Sequence, residues 1–395
     1  MQKKSICFLF AALCAPLVQA QNEQDELQDL KSQLADIRTQ LSALSSLSVQ
    51  YETINKRIEV LEKVGAQNSE DKRPQKQVSI STDQNIKNIP SKKDIKVYAT
   101  VRPTFGYIDE ENEASWDVKD ALSHAGIKST VEFNQQWQGI LHGEWGIDLS
   151  NNGNFGNARQ VYAAIDSPYG KVGLGKQRPA QYLFIAEYVD IFNHGNSPFA
   201  YDPESIFFVD NLLTYQIKQG DFTWMLVSQF NGTQGDNKSD LINGGVSYDK
   251  DNLHVALTYT NKGIYENEQE LGDNNIVGGS LAYSFDSGFY FALGYQAKKY
   301  NRDLGIDRNG HTLDVSMAYP LSKNYKVKMG YFDFDDGHQA AQTQNYNGAN
   351  LTLEWLPAEN LRLHVEYLYR DFDYLADFSS FSVGFRYDYS QVWGY

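Results

Sequence analysis

Cysteine, proline, methionine and long apolar runs are all scarce in this chain of 395 residues. It has two cysteines, Cys7 and Cys14, with ten prolines and four methionines. Both cysteines lie in the first 20 residues, a segment that we expect to be removed, so a disulfide scaffold is excluded. No run of about 18 apolar residues follows that segment, although a membrane-spanning helix needs one. The sequence therefore predicts no membrane-spanning helix.

Positive charge is also in short supply. Lys and Arg number 35 against 50 Asp and Glu, and the formal net charge is −15. Because binding of phosphate backbones needs a basic surface, this balance argues against a nucleic-acid partner. Aromatic residues are plentiful instead, at 13% of the chain, while the mean hydropathy is only −0.52. Abundant Tyr and Phe in a polar chain favour a β-rich protein whose rings have one dry face and one wet end.

The N-terminus predicts an exported protein. Lys3 and Lys4 form a positive start, residues 6–13 form an apolar stretch, and Val18-Gln19-Ala20 is a small-residue cleavage site. Residues 1–20 are thus predicted to be a signal peptide, and the mature chain to begin at Gln21. Removal of the two lysines makes the mature chain more acidic by two charges.

Residues 22–64 carry an apolar stripe with helical spacing. The spacing of three and four residues is typical of a coiled-coil seam, with one stammer before Leu47. The seam residues are Leu27, Leu30, Leu34, Ile37, Leu41, Leu44, Leu47, Tyr51, Ile54, Ile58 and Leu61. A self-associating parallel helix, with a trimer preferred, is the favoured interpretation, and a single amphipathic helix lying on a surface is the alternative. Residues 65–94 are polar and basic, with Pro74 and Pro90, and predict a flexible linker.

From residue 95 to the end the apolar residues recur with a period of two. Leu363, Val365 and Tyr367 alternate with His364 and Glu366. One face of this strand is therefore apolar, and the other is polar and must contact water. Turn residues divide this region into sixteen strands of about ten residues, with short turns at one end. Long connections are predicted at 110–120, 150–157, 178–207, 231–240, 263–273, 301–310, 336–344 and 374–377.

Sixteen strands with short turns at one end and long loops at the other predict an all-β fold, a 16-stranded antiparallel transmembrane β-barrel spanning 95–395. A soluble β-sandwich is the competing fold, because it also uses alternating strands. A sandwich explains neither the alternation of short and long connections nor the aromatic residues at strand ends. It also leaves unpaired edge strands, which a closed barrel does not have. A barrel of this size encloses an aqueous channel.

Several segments resemble the general bacterial porin family of Gram-negative outer membranes. Val97–Arg102 is similar to the family's opening strand, His124–Glu132 to its second strand and Ser382–Tyr387 to its closing strand. Arg159–Ile165 with Tyr169–Gln177, and then Val209–Tyr215, resemble the strands that flank the constriction loop. The resemblance implies a homotrimer in the outer membrane, in contact with lipid and lipopolysaccharide, with no cofactor and no metal. The coiled coil would then lie in the periplasm, where contact with peptidoglycan is possible.

The resemblance also implies a pore constriction formed by the loop at about 178–207. In this family the loop folds inward and sets carboxylates opposite a basic wall, and the resulting field acts on ions in transit. The loop carboxylates here are Glu187, Asp190, Asp202 and Glu204, and the basic wall candidates are Arg102, Lys128, Arg159 and Lys176. Further lumen-facing candidates are Glu132, Glu144, Lys326, Lys328, Arg362, Glu366 and Arg386.

Three departures from the family pattern stand out. Phe207 and Phe208 occupy positions near which the family often places a basic residue. The usual Pro-Glu-Phe-Gly type motif is missing from the loop. The predicted closing strand ends near residue 389, and Tyr395 rather than Phe is the final residue.

The predicted function is a water-filled outer-membrane channel for passive diffusion of small hydrophilic solutes and ions, with weak preference for cations. One alternative is a structural tether that links the barrel to the cell wall through the coiled coil. Another is an outer-membrane hydrolase, which needs Ser, His and a polar orienting group within hydrogen-bond reach. The seven histidines are accompanied by no nucleophile motif or metal-ligand spacing, so no enzymatic activity is predicted.

Overall fold

The computed structural model describes residues 92–110, 113–150, 153, 155–193, 207–230, 240–266, 269–303, 305–338 and 345–394. These residues all belong to one compact unit, Ile86–Tyr395. The predicted signal peptide, the coiled coil 22–64 and nearly all of the linker 65–94 lie outside the described residues. So do two of the predicted loop carboxylates, Asp202 and Glu204.

The described residues form eighteen strand segments and two short helical turns. The first nine strands are β1 (Lys93–Val101), β2 (Pro103–Glu110), β3 (Glu113–Asp120), β4 (His124–Asn134), β5 (Trp137–Ile147), β6 (Phe155–Ser167), β7 (Gly170–Gln177), β8 (Val209–Gln219) and β9 (Phe222–Gln229). They are followed by β10 (Leu241–Lys250), β11 (Leu253–Glu266), β12 (Gln269–Ser284), β13 (Tyr290–Arg302), β14 (Arg308–Pro320), β15 (Tyr325–Asp335), β16 (Tyr346–Ala358), β17 (Leu361–Phe372) and β18 (Phe378–Gly394). Between β7 and β8 lie a π-helical turn, Tyr182–Ala186, and a helical turn α1, Glu187–Val189.

The sheet closes on itself. From β4 to β18 each strand pairs antiparallel with the next, while β1 pairs with β4 and β2 with β3. The last strand, β18, also pairs with β1, from Asp94↔Gly394 to Val101↔Tyr387, and onward with β2. Segments β1 and β2 are two halves of one barrel strand, and β3 and β4 are two halves of the next. The described residues therefore form a closed barrel of 16 antiparallel strands, which confirms the predicted fold class.

Both split strands are interrupted at the same height by a bulge. Leu122 has a positive φ of 71°, and the pairing of β2 with β3 is offset by one residue from the pairing of β1 with β4. The N–H of Arg102 donates to Ser123 Oγ at 2.7 Å, while its carbonyl accepts the N–H of Ala121 at 2.9 Å. A side chain thus replaces one ladder partner, and a bulge of this kind redirects the flanking side chains.

Four of the predicted boundaries were wrong. Positions 110–120 and 263–273, predicted as long connections, are strand wherever the structure describes them. The last strand continues to Gly394 and does not end near 389. The first strand begins at Lys93, two residues inside the predicted linker. The start of β12 is polar because it extends past the apolar band, so its sequence has the composition of a loop. On β3 the alternation does continue, since Trp116 and Val118 point outward and are 61% and 54% exposed.

The two faces of each strand are reversed relative to a soluble protein. On β17, Val365 and Tyr367 point outward and are 41% and 46% exposed, whereas Glu366, which points inward, is 2% exposed. The apolar face meets lipid, and the polar face meets the lumen and the segment inside it. No helix in the described part of the chain is long and apolar enough to cross a membrane.

Candidate functional site: the lumen and the segment that crosses it

The chain after β7 turns into the barrel and follows its inner wall. We call residues 178–193 the inward segment. Its hydrogen bonds reach successive strands from β10 to β17, although the segment has only sixteen residues. The wall partners are Asn243, His254, Ser280, Gln296, Ser316, Lys328, Glu354 and Glu366, and then Arg102 on the first strand. The inward fold of this loop, which the resemblance implied, is present in its described part.

Apolar contacts fix the segment against glycines of the wall. The ring of Phe192 lies on Gly330, so closely that a Cβ at that glycine would overlap it. A Cβ on Gly278 would lie 2.7 Å from Cδ1 of Ile185, and one on Gly245 would lie 3.1 Å from the ring of Phe184. Glycine at these inward positions leaves room for the segment to pack on the sheet.

A hydrogen-bonded chain holds the π-helical turn. His254 Nδ1 lies 2.6 Å from Asp249 Oδ1, and His254 Nε2 lies 2.9 Å from the carbonyl oxygen of Phe184. Ser280 Oγ donates to the same carbonyl at 2.6 Å and lies 3.2 Å from Nε2, and the ring of Tyr188 stacks on the imidazole at 3.4 Å. Asp, His and Ser are thus in the order of a hydrolase triad. The hydroxyl and the imidazole are both engaged by a loop carbonyl, so the arrangement serves as an anchor.

A second anchor holds the far end of the segment. Lys328 Nζ donates at 2.6 Å both to the carbonyl of Ile191 and to Glu354 Oε1. Asn193 completes the cluster, because its Nδ2 donates to Glu354 Oε1 at 2.6 Å and its N–H donates to Glu366 Oε2 at 3.0 Å. The side chains of Lys328 and Glu354 are 6% and 1% exposed, so this pair is desolvated by the segment above it.

The two described loop carboxylates differ in environment. Glu187 is exposed at the start of α1. The pKa of Asp190 is raised to about 7. Burial is the main cause and Glu366 adds to the rise, whereas Arg102, Lys328 and Arg178 oppose it. Glu187 is therefore accessible from the lumen, while Asp190 is close to its titration point at neutral pH.

The four basic wall candidates are placed as follows. Lys128 faces inward on β4, and the guanidinium of Arg102 donates to the carbonyl of Asn193. Arg159, whose orientation the sequence left open, faces inward at a register shift of β6 and donates from Nε to Glu144 Oε1 at 2.7 Å. Lys176, also left open, stands opposite the outward-facing Val161 and pairs with Asp210 at 3.0 Å. Arg159 and Lys176 both line a cavity of about 1130 Å³.

The other lumen candidates occupy inward register positions. Glu132 shares the inward face of β4 with Lys128, and Lys326 that of β15 with Lys328. Two of these candidates have neighbours that were not predicted from the sequence. Tyr98 donates to Glu144 Oε2 at 2.7 Å, and Arg362 stands directly opposite Arg386 on the next strand. Asp388 lies between these two arginines, 3.9 Å from Arg362 Nη2 and 2.9 Å from Arg386 Nε.

Several of these partners were not predicted. Glu354, Asp388 and His254 each sit at a polar position of an alternating strand, so the alternation could have indicated them. Asn193 and Arg178 lie in the loop, where no periodicity exists to show which side chains face the wall. The wall glycines were a further available signal, because Gly245, Gly278 and Gly330 leave inward positions without a side chain.

A closed 16-stranded barrel with a polar lumen and an inward segment defines a channel of the outer-membrane type. The chain belongs to the Gram-negative porin family, whose model matches residues 78–393. No curated protein matches the chain. It is therefore a porin channel of the outer membrane.

Solved structures share the fold at low sequence identity. The anion-selective porin from Comamonas acidovorans has a TM-score of 0.65 at 16% identity, over 75% of this chain and 100% of that one. OmpF of Salmonella typhi, in complex with daunomycin, has a TM-score of 0.58 at 15% identity, over 75% and 97%. The outer membrane channel DcaP of Acinetobacter baumannii has a TM-score of 0.58 at 12% identity, over 76% and 97%.

Proposed function

We propose that this porin is a water-filled diffusion channel for small hydrophilic solutes and ions, with a weak preference for cations. The observation that carries the preference is the local charge balance of the lumen. Four basic groups of the wall are paired with wall carboxylates, whereas the carboxylate of Glu187 remains exposed on the inward segment.

Four ion pairs support this balance. They are Arg159–Glu144 at 2.7 Å, Lys176–Asp210 at 3.0 Å, Lys328–Glu354 at 2.6 Å and Arg386–Asp388 at 2.9 Å. Glu187 makes no ion pair with any residue in the described ranges. An unpaired charge next to the path raises the local concentration of counter-ions, whereas a paired charge contributes mainly a dipole. Asp202 and Glu204, predicted in the same loop, would add to the effect.

The test is the zero-current potential of the purified protein in a KCl gradient across a planar bilayer. We expect a potential of the sign that K⁺ produces, and a smaller one for Glu187→Gln. Lys323→Gln, in the short turn between β14 and β15, is the matched surface control and should leave the potential unchanged. A potential of the sign that Cl⁻ produces would reject the cation preference and leave the channel itself standing.

The proposal includes a homotrimer whose N-terminal helices form a coiled coil in the periplasm, with contact to peptidoglycan. The heptad seam of residues 22–64 supports it, since a lone helix has little else against which to bury eleven apolar residues. Chemical cross-linking of the full chain and of a variant lacking residues 22–64 tests it. A trimer that survives the deletion would assign trimerisation to the barrel alone, and a monomeric full chain would reject the proposal.

A further inference from the structure

Two arginines and two phenylalanines meet where the inward segment leaves and rejoins the barrel wall. The guanidinium of Arg178 lies 5.0 Å from the ring centre of Phe208, and that of Arg159 lies 4.8 Å from the same ring. Phe207 packs edge to face on Phe208 at 4.4 Å, and Tyr182 covers Arg178 at 4.1 Å. We call Arg159, Arg178, Phe207 and Phe208 the arginine–phenylalanine cluster.

The two guanidinium groups have unused donors. Arg178 makes no ion pair with any described residue, and its buried Nε has no hydrogen-bond partner there. Arg159 uses only Nε, which donates to Glu144, so its two terminal amino groups have no partner within the described ranges. Arginine forms its strongest contacts when it donates pairwise to a carboxylate. Aromatic rings stabilise the positive charge but accept none of these hydrogen bonds.

The cluster is open to a space of ligand size. Three of its four residues, Arg159, Phe207 and Phe208, line the cavity of about 1130 Å³. The charged residues that line the rest of the cavity are Lys119, Lys176, Lys262, Asp117, Asp120, Asp148 and Asp210. Both phenylalanines are half-buried, so part of each ring faces a lumen in which most inward side chains are polar. Partly exposed rings lie here beside guanidinium groups whose N–H donors are not all used. Such a site suits a ligand that combines a flat apolar surface with a carboxylate.

We propose that the arginine–phenylalanine cluster is a binding subsite for planar aromatic carboxylates on their way through the pore. The carboxylate would accept hydrogen bonds from the terminal amino groups of Arg159, in the positive field of Arg178. The ring would lie against Phe207 or Phe208. An aliphatic acid can make only the contact between its carboxylate and arginine, and a neutral arene can make only the contact between its ring and phenylalanine. The inference concerns short-range contacts with organic anions, and it is independent of the preference among inorganic ions proposed above.

The test uses the purified full chain in planar bilayers, with block of the KCl current measured against added sodium benzoate. Acetate, cyclohexanecarboxylate and benzyl alcohol are the comparison solutes. We expect saturable block by benzoate, with a half-blocking concentration roughly fivefold below that of cyclohexanecarboxylate, as one aromatic contact allows. Arg178→Gln and Phe208→Leu should each raise the benzoate value by about fivefold to tenfold.

Arg370→Gln is the matched control, because Arg370 also lies over two rings, Tyr346 at 5.1 Å and Phe378 at 5.5 Å, but outside this cavity. It should leave the half-blocking concentration of benzoate unchanged. Equal block by benzoate and cyclohexanecarboxylate, or equal loss in Arg370→Gln and Arg178→Gln, would overturn the proposal. The comparison of solutes on the unmodified protein decides the matter even where a variant does not fold. If no current is seen at all, the proposed channel function fails. Calorimetric titration with benzoate then tests the subsite separately, and no heat of binding would reject it.

Discussion

Lys328 offers the strongest perturbation of the inward segment. Its ammonium group holds both the carbonyl of Ile191 and the carboxylate of Glu354, and both side chains of the ion pair are almost fully buried. Lys328→Met would keep the volume and leave a buried carboxylate without its main counter-charge. Breaking a buried pair in this way costs about 3–5 kcal/mol. Asn193 and Arg362, the latter at 3.8 Å, still face Glu354, so we expect the lower value, about 3 kcal/mol.

The assay is urea unfolding of the protein in lipid vesicles, followed by tryptophan fluorescence, together with single-channel recording. Lys326→Met is the matched control, since Lys326 faces the lumen two residues away on the same strand and has no ion pair among the described residues. We expect a loss of less than about 1 kcal/mol for the control. Lys328→Met should also increase current noise, because the hydrogen bond to Ile191 is lost. Equal unfolding midpoints and equal noise in the two variants would refute the reasoning.

Three further predictions concern the same segment. Gly330→Val should displace the ring of Phe192 and change the unitary conductance, whereas an unchanged conductance would show that this contact does not position the segment. Because burial raises the pKa of Asp190 to about 7, its carboxylate is mostly charged at pH 8 and mostly neutral at pH 6. The preference for K⁺ should therefore decrease in the wild type when the pH is lowered from 8 to 6, and should not change in Asp190→Asn. An equal pH response in both would exclude this group. His254→Gln should weaken the hold on the Phe184 carbonyl by about 1 kcal/mol and increase current noise, and wild-type noise would contradict that role.

The sequence was sufficient for the repeating part of the fold and insufficient where repetition ends. Strand β17 was predictable, because Val365 and Tyr367 must face lipid if Glu366 is to stay in a polar lumen. The start of β12 was not, because beyond the apolar band both faces are wet and the alternation disappears. The bulge at Leu122 was not predictable either, because the sequence around it contains no residue pattern that indicates a bulge.

The site divides in the same way. The alternation of side chains along a single strand is enough to place Lys328 and Arg362 on the inward face. The residues that line the lumen could therefore be predicted strand by strand. Which of them pair could not, since Glu354 meets Lys328 and Asn193 only after the inward segment has been placed. The orientation of Arg159 depends on a register shift that a strict period of two cannot reveal.

The most direct test of the account is the single-channel conductance of the purified protein in a planar bilayer, with neutral polymers of graded size added to the bath. A water-filled lumen narrowed by residues 178–193 predicts discrete ohmic steps. These steps should fall when polymers small enough to enter are added and recover when larger polymers are used. Absence of steps above the bare bilayer would contradict the account, and so would conductance that is indifferent to polymer size.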